Sequence, residues 1–399
     1  MFQSNYNKNS PTLRLSIRDQ DYWPTDGWLT TSPEEQGMNS KILSKIYDYI
    51  EKEQVNIHSV IIVRNGYIIE EGYLTSYKLR AVNENYSKEM HELFSVIKSI
   101  TSLCVGIALK MSYIDNLNQT FFEFFPELWK PSYDLRKKNI TIENLLTMTS
   151  GIEWDESSIP YGNPGNDFTD MMSNYDWIQY YLDKPMKYDP GKIFTYSGGS
   201  SMLLSALVQK ATNQTTSEFA HENLFTSLGI SKDRWKWGLA PGEITIGASD
   251  LYMTPRDMAK IGLLCLNNGT WEEKMILSKN YIIAATGVQQ ILPSYYPYGY
   301  QFWILRHFTH KGYAATGYLG QRIFVFPDIS LIIVFTSNLQ NPNYYIDYIV
   351  QEFILASIGV DSGNSEYIIS GYSLPVICSL ITFGFLGCIY LMNKMREYI

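Results

Sequence analysis

Apolar positions near the N-terminus follow a helical period. Residues 1–31 are polar and irregular and are expected to form an exposed lead-in. A helix is indicated from Ser32, which can cap it, with Glu35 three residues later as in a capping box. Its apolar face is expected at Ile42, Ile46 and Ile50.

The pattern then changes to two short runs of β-forming residues. Residues 60–63 and 67–69 lie on either side of Asn65-Gly66. This dipeptide suits a type I′ turn, because both of its residues tolerate a positive φ. The spacing predicts a β-hairpin.

Helical and turn patterns dominate residues 92–285, and strands return afterwards. The later strands are predicted at 298–305, 322–326 and 331–335. Strands at both ends with helices between them are typical of an α+β fold. We therefore predict one domain over residues 32–360, with a sheet from 32–90 and 286–360 and a helical part at 91–285.

A long uncharged segment lies close to the C-terminus. No charged residue occurs between Glu366 and Lys394, and a helix needs about 20 apolar residues to cross a bilayer. The sequence therefore predicts a linker at 361–371 and a transmembrane helix at 372–393, with the lipid bilayer as a partner. The expected localisation is a single-pass C-terminal membrane anchor. Flanking charges favour an external domain, but insertion after synthesis ends favours a cytosolic one, which we expect.

Composition and charge exclude other classes of protein. The 399 residues are 45% hydrophobic and 18% charged, which is enough apolar material for a large core. The formal net charge is −8, and the sequence contains no run of basic residues and no Cys/His cluster. Nucleic acid is therefore not an expected partner, and no metal site is indicated.

One predicted helix carries a candidate catalytic pair. Residues 93–109 are apolar or hydroxylic on all sides, so a helix there should be buried, and Lys98 is its only charge. Because burial disfavours a charged amine, Lys98 is a candidate base. Ser95 lies three residues earlier, one turn away on the same face, where its hydroxyl can reach that amine. The start of the helix would also stabilise negative charge on the serine oxygen.

Residues 94–99, Phe-Ser-Val-Ile-Lys-Ser, resemble the nucleophile segment of the serine β-lactamase and penicillin-binding protein superfamily. The likeness is greatest to its class C-like serine hydrolases, which include esterases and 6-aminohexanoate-dimer hydrolase. Other segments that resemble the family follow in its order at 145–151, 189–198, 253–258 and 317–321. The resemblance implies a β-lactamase/transpeptidase-like α+β fold, with an antiparallel sheet flanked by helices and a helical subdomain.

The family's second active-site element is Tyr-x-Asn or Ser-x-Asn, on a loop that faces the nucleophile. Tyr196 matches its first position, so the resemblance implies that Tyr196 and Lys98 move the proton of Ser95. The third position is Gly198, which offers no side-chain amide to orient a substrate. Tyr161-Gly162-Asn163 fits the bare pattern and is an alternative second element.

The third element in penicillin-recognising relatives is Lys-Thr-Gly on the strand beside the active site. Counting back from Gly320-Gln321 without gaps places it at 312–314, which reads Gly-Tyr-Ala and offers no cation for a substrate carboxylate. By resemblance, the backbone amides of Ser95 and Ala315 form the oxyanion hole, with the register open by one or two residues. His310-Lys311-Gly312 is a slipped alternative.

These features predict a serine hydrolase that cleaves a small-molecule ester, amide or peptide through an acyl-enzyme on Ser95, without metal or cofactor. A β-lactamase or D-alanyl-D-alanine carboxypeptidase is the alternative among enzymes, disfavoured by the missing cation. A catalytically silent binding protein on the same fold is the alternative from another class. Such a protein would be expected to lose Ser95 or Lys98 first, and both are present.

Overall fold

The hairpin at Asn65-Gly66 lies within the main sheet of the computed structural model. Strand β1, Ile57–Arg64, pairs antiparallel with strand β2, Tyr67–Thr75. Asn65 and Gly66 have φ angles of 49° and 87°, as a type I′ turn requires. The predicted hairpin is confirmed.

The structure describes residues 22–80, 87–292 and 296–360. Its strands are β1 and β2, then β3 Lys78–Arg80, β4 His91–Glu92, β5 Trp235–Trp237, β6 Leu239–Ala240, β7 Ile244–Thr245, β8 Leu251–Met253, β9 Thr270–Trp271, β10 Lys274–Met275, β11 Trp303–Leu305, β12 Gly312–Thr316, β13 Arg322–Phe326 and β14 Leu331–Ser337. Its α-helices are α1 Ser40–Leu43, α2 Lys45–Lys52, α3 Val96–Lys110, α4 Phe121–Phe124, α5 Ile142–Leu146, α6 Asp167–Met172, α7 Trp177–Asp183, α8 Gly198–Thr212, α9 Thr216–Ala220, α10 Pro255–Leu266, α11 Lys279–Ala285 and α12 Pro342–Ile349.

The main sheet takes its strands from distant parts of the chain. Within the described ranges it has seven strands in the order β11-β12-β13-β14-β1-β2-β3. Each neighbouring pair is antiparallel. The predicted α+β fold with an antiparallel sheet is therefore confirmed.

Both faces of this sheet are covered. Along β1, Ile61 and Val63 belong to the core cluster that includes α3 and α10, whereas Val60 and Ile62 belong to the cluster that includes α2 and α12. This alternation is the period of two that a strand buried on both faces shows. The sheet is thus a rigid layer between helices, on which a site can be positioned.

The first predicted helix begins later than the sequence indicated. Asn39 caps α1 by accepting from the amide of Ile42, and Gly37 at φ 70° ends a 3₁₀ turn that precedes it. Ser32 and Glu35 do form a capping pair, but on that turn. The predicted start at Ser32 was wrong, because the capping signal belongs to the 3₁₀ turn whereas the helical spacing of apolar residues belongs to the helices that follow it.

The predicted buried helix is present as α3. Every side chain from Val96 to Ala108 is buried, because α3 packs against strand β12 on one side and helix α8 on another. Its all-round apolar composition is explained by this central position.

The predicted membrane localisation is corrected. Among the residues that the structure describes, no helix is both long enough and apolar enough to span a membrane. The segment predicted to span it, 372–393, lies outside the described residues, as does the linker at 361–371. The chain divides into two compact units after Gly359, and the elements above belong to the first of them.

Candidate active site

Ser95 stands at the N-terminus of α3, at the bottom of a cleft of about 240 Å³. The residue before it, Phe94, has φ 46°, a left-handed conformation that costs a non-glycine residue about 1–3 kcal/mol. This sharp turn brings the chain from β4 into α3 and leaves Ser95 half-buried at the cleft. Strain stored at such a position is typical of functional sites.

Lys98 lies directly beneath Ser95. Its side chain is 2% exposed, and its Nζ donates to Ser95 Oγ at 3.1 Å and to the backbone oxygen of Ala248 at 3.0 Å. The amine also lies 5.1 Å from the centre of the Tyr196 ring. The predicted contact between serine and lysine is thus present, and a neutral amine in this place would accept the serine proton.

Tyr196 reaches the same cleft from the opposite side. It precedes helix α8, whose first turn is capped by Ser197. Its ring stacks on Trp303 of β11, with centroids 5.9 Å apart and an interplanar angle of 29°. Both aromatic rings line the cleft with Ser95. The structure therefore brings together the three side chains that the sequence proposed for catalysis.

Gly198 is the third position of the predicted second element, where the family pattern calls for asparagine. A Cβ atom there would lie 2.4 Å from Phe168 Cδ2 and 3.1 Å from Glu156 Oε2. The Gly198 amide donates to Glu156 Oε2 at 2.7 Å. An asparagine side chain has no room in this position, because a buried carboxylate and an aromatic ring already fill it.

The alternative tyrosine, Tyr161, also lines the cleft. Its hydroxyl donates to Glu156 Oε1 at 3.2 Å, and its ring packs edge-on against Tyr318 at 5.4 Å. Burial, together with the negative charge of Glu156, raises the pKa of Tyr161 above its ordinary value. Tyr161 is therefore a protonated donor and part of the cleft wall rather than a proton acceptor.

Glu156 is a buried residue that the sequence analysis did not predict, and its carboxylate links Tyr161 to Gly198. It is 4% exposed and accepts from the indole of Trp154 at 2.7 Å as well as from Gly198 and Tyr161. In the sequence it stands in a loop among other polar residues, where no spacing distinguishes it.

Replacing Glu156 by Ala should destabilise the protein by about 3 kcal/mol, because two buried N–H donors lose their acceptor. We also expect a roughly 10-fold lower kcat/KM for a small ester, since the wall that orients the substrate loses its anchor. Glu156→Gln is the matched control: its amide oxygen can still accept from Trp154 and Gly198. Urea unfolding and ester kinetics measure both effects. If the Gln variant lost as much activity as the Ala variant, Glu156 would act through its charge instead.

The predicted oxyanion-hole register needs correction. Ala315 is 3% exposed and lies inside β12 opposite Ile323. The amide of Gly317 donates to Gln321 O at 2.8 Å, and because ladder bonds alternate, the amide of Ala315 also points to β13. The cleft is lined instead by residues 316–318, Thr-Gly-Tyr.

The end of β12 is held close to Ser95. A Cβ on Gly317 would lie 2.3 Å from the backbone oxygen of Leu93, two residues before Ser95. The slipped alternative around His310 gains no support: the residues that line the cleft do not include His310, whose Nδ1 shares a hydrogen bond of 2.8 Å with Asp328.

A cation that the sequence analysis missed lines the cleft. Arg322, the first residue of β13, is 6% exposed and faces the same cleft as Ser95. Arg322 could have been found by the criterion that pointed to Lys98, because it is the single charged residue in an otherwise apolar element. The third element at 312–314 carries no cation, as predicted from its sequence, but this neighbouring strand places one at the cleft.

A larger cavity of about 570 Å³ lies elsewhere, near the turn at Asn65-Gly66 and the end of α10. None of Ser95, Lys98 and Tyr196 lines it. The smaller cleft is therefore the candidate active site.

Comparison with protein families identifies the class of protein. The Beta-lactamase family model matches residues 48–349, so the chain belongs to the Beta-lactamase family. The predicted superfamily is confirmed. Curated relatives include Protein flp of Staphylococcus aureus (strain MW2), 25% identical over 189 residues, and Penicillin-binding protein 4* of Bacillus subtilis (strain 168), 25% identical over 196 residues. These matches span 47% and 46% of this chain but only 36% and 39% of the relatives.

Solved structures with the same fold include hydrolases. A Bacillus anthracis protein described as a 6-aminohexanoate-dimer hydrolase has a TM-score of 0.64 at 22% identity, covering 76% of this chain and 79% of its own. EstCE1, a hydrolase with promiscuous acyltransferase activity, has a TM-score of 0.63 at 13% identity, covering 80% and 99%. At these identities the likeness concerns the fold.

Proposed function

We propose that this chain is a serine hydrolase that cleaves an ester or amide through an acyl-enzyme on Ser95. The observation that carries the proposal is the 3.1 Å contact between Lys98 Nζ and Ser95 Oγ, at the bottom of a cleft that Tyr196 also lines. A nucleophile within hydrogen-bond reach of a buried amine has the geometry that acyl transfer needs. Family membership and the esterases among the structural neighbours support the same reaction class.

In the first half-reaction, Ser95 Oγ forms a bond to the substrate carbonyl carbon and its proton passes to the Lys98 amine. Tyr196, beside that amine, relays the proton to the leaving group as the carbonyl–leaving-group bond breaks. Water then attacks the acyl-enzyme by the reverse route, which restores Ser95 and releases the acid.

The developing oxyanion needs two donors. The amide of Ser95 belongs to the start of α3, where the first N–H groups have no partner within the helix. We assign the second donor to the amide of Tyr318, which follows the last ladder bond of β12 and lies in the cleft wall. This assignment replaces Ala315.

Two alternatives are weaker. A β-lactamase or D-alanyl-D-alanine carboxypeptidase would need the side-chain amide that Gly198 lacks, and Phe168 and Glu156 fill its place. A silent binding protein would have no use for a buried amine against a half-buried serine, which costs stability.

The test is a turnover screen of the full chain with 4-nitrophenyl butyrate and nitrocefin. We expect kcat/KM to be on the order of 10²-fold higher for the ester, because the cleft is small and lacks the amide that orients a β-lactam side chain. A fluorophosphonate probe should label Ser95. Absence of both labelling and turnover would favour the silent binding protein, and preference for nitrocefin would favour the β-lactamase.

A further inference from the structure

The larger cavity, of about 570 Å³, has the size and the lining of a second binding site. Small-molecule sites usually enclose about 300–1,000 Å³. The cavity lies beside the C-terminal end of α10 and helix α11, next to the turns of the hairpins β1-β2 and β13-β14. Among the residues that the structure describes, its lining includes four side-chain amides and six hydroxyl groups. A polar ligand therefore suits it better than an apolar one.

The hydroxyl of Tyr313 is buried in the cavity wall without a hydrogen-bond partner. Tyr313 is 5% exposed and lines the cavity, and its Oη has no partner among the described residues. Burial raises the pKa of Tyr313 well above its ordinary value, so the phenol stays protonated and remains a donor. Because an unsatisfied buried hydroxyl is costly, a ligand that accepts from Tyr313 would gain the energy of that missing bond.

Side-chain amides around the cavity keep part of their hydrogen-bonding capacity unused. Asn267 Nδ2 donates to Leu263 O at 3.0 Å, which leaves Asn267 Oδ1 as an acceptor. Gln36 Oε1 accepts from Asn65 Nδ2 at 3.0 Å, which leaves the NH₂ group of Gln36 as a donor. Donors and acceptors around one space suit ligand hydroxyl groups, because each hydroxyl both donates and accepts.

The charges around the cavity disfavour an ionic ligand. In the described part of the chain no Lys, Arg or His lines it, so a bound anion would lack a countercharge. Its one carboxylate is that of Glu35, whose pKa is lowered by hydrogen bonds from Thr31 and Ser32. The described residues contain no group of three or more His, Cys, Asp or Glu that could hold a metal ion. Burial raises the pKa of the Cys265 thiol in the cavity to about 12, so this thiol is not a nucleophile.

We infer that this cavity binds a neutral saccharide at a site separate from the active-site cleft. Saccharide hydroxyls match the amides and the Tyr313 phenol, and the half-buried ring of Tyr67 offers apolar surface to a sugar ring. No described residue lines both spaces: on strand β12, Tyr313 lines the cavity and Thr316 lines the cleft. The inference does not depend on the chemistry of Ser95.

The test is saturation-transfer NMR on the full chain with pairs of sugars that differ in charge. The probes are the methyl glycosides of glucose, galactose and mannose, each beside its uronic acid, in which a carboxylate replaces the C6 hydroxymethyl group. We expect at least one neutral glycoside to bind with a Kd on the order of 1 mM. Its uronic acid should bind at least roughly 10-fold more weakly, because the cavity has a carboxylate and no cation. Absence of binding by all three neutral glycosides, or tighter binding of the uronic acids, would overturn the inference.

Variants locate the binding. Tyr313→Phe should weaken the affinity roughly 5-fold or more while the Tm stays equal or rises, because the unsatisfied hydroxyl is removed. Asn268→Gly removes a cavity amide at a residue with φ 53°, which glycine adopts without strain, and should also weaken binding. Tyr300→Phe is the matched control and should keep the full affinity, because Tyr300 does not line the cavity and its hydroxyl donates to Glu143 Oε1 at 2.6 Å. Unchanged affinity in both cavity variants would place the sugar elsewhere and overturn the inference.

A kinetic comparison excludes binding in the cleft. A glycoside held in the cavity should not compete with 4-nitrophenyl butyrate for Ser95. If the glycoside raised the KM for this ester equally in wild-type protein and in Tyr313→Phe, it would be bound in the cleft, and the inference would be wrong. If the protein cleaved no ester, the hydrolase proposal would fail, whereas NMR binding that depends on Tyr313 and Asn268 would still support the saccharide site.

Discussion

Replacing Ser95 by Ala should abolish fluorophosphonate labelling and lower ester turnover on the order of 10⁴-fold or more. The reason is that, among the residues that the structure describes, the Lys98 amine donates to one hydroxyl, that of Ser95, and otherwise to the backbone oxygen of Ala248. The fold should persist, because the change removes one half-buried hydroxyl and opens no large cavity. Intact-protein mass spectrometry after labelling, together with burst kinetics on 4-nitrophenyl butyrate, measures both effects.

Ser99→Ala is the matched control for this variant. Ser99 lies on the same helix, but its hydroxyl donates to Gln301 O at 2.6 Å in the core, whereas the Ser95 hydroxyl oxygen accepts from Lys98 Nζ. Its removal should reduce stability by about 1 kcal/mol and leave labelling intact. Equal activity in Ser95→Ala and wild-type protein would contradict the nucleophile assignment.

The sequence predicted correctly those elements whose conformation is determined by residues adjacent in the chain. Asn65-Gly66 determines its own turn, and the apolar stretch with a single lysine predicted a buried helix, which is α3. The first helix was placed too early because Gly37, with its positive φ, divides a period that looks continuous. Here a single backbone conformation outweighs the apolar pattern.

Contacts between distant segments explain what the sequence did not predict. Counting without gaps placed the third element at 312–314 and the oxyanion amide at Ala315. The pairing of β12 with β13 directs the Ala315 amide to β13, and the cleft lining begins at Thr316. This pairing between distant strands is not visible in the local sequence. Glu156 acquires its role only when its loop folds over Gly198. Arg322 offered a readable signal, a lone charge in an apolar strand, and that criterion should be applied to strands as well as helices.

Replacing Lys98 by Met should separate catalysis from stability. Acylation of Ser95 should slow roughly 10³-fold, because the serine proton loses its acceptor while Tyr196 and the oxyanion donors remain. The free energy of unfolding should change by less than about 2 kcal/mol, because relief from burying a polar amine offsets the loss of the bond to Ala248 O. Stopped-flow acylation and urea unfolding measure the two quantities.

Lys260→Met gives this comparison its control. Lys260 is 1% exposed, and burial lowers its pKa to about 8. Its Nζ donates to the backbone oxygens of Leu228 at 2.9 Å and Gly229 at 3.2 Å, neither of which lines the cleft, whereas Lys98 donates to the cleft residue Ser95. Because Lys260 only holds backbone carbonyl groups, Lys260→Met should lower the free energy of unfolding of the protein and leave the rate of Ser95 acylation unchanged. If Lys98→Met behaved like Lys260→Met, Lys98 would be a structural anchor, and the base for Ser95 would have to be sought in Tyr196 alone.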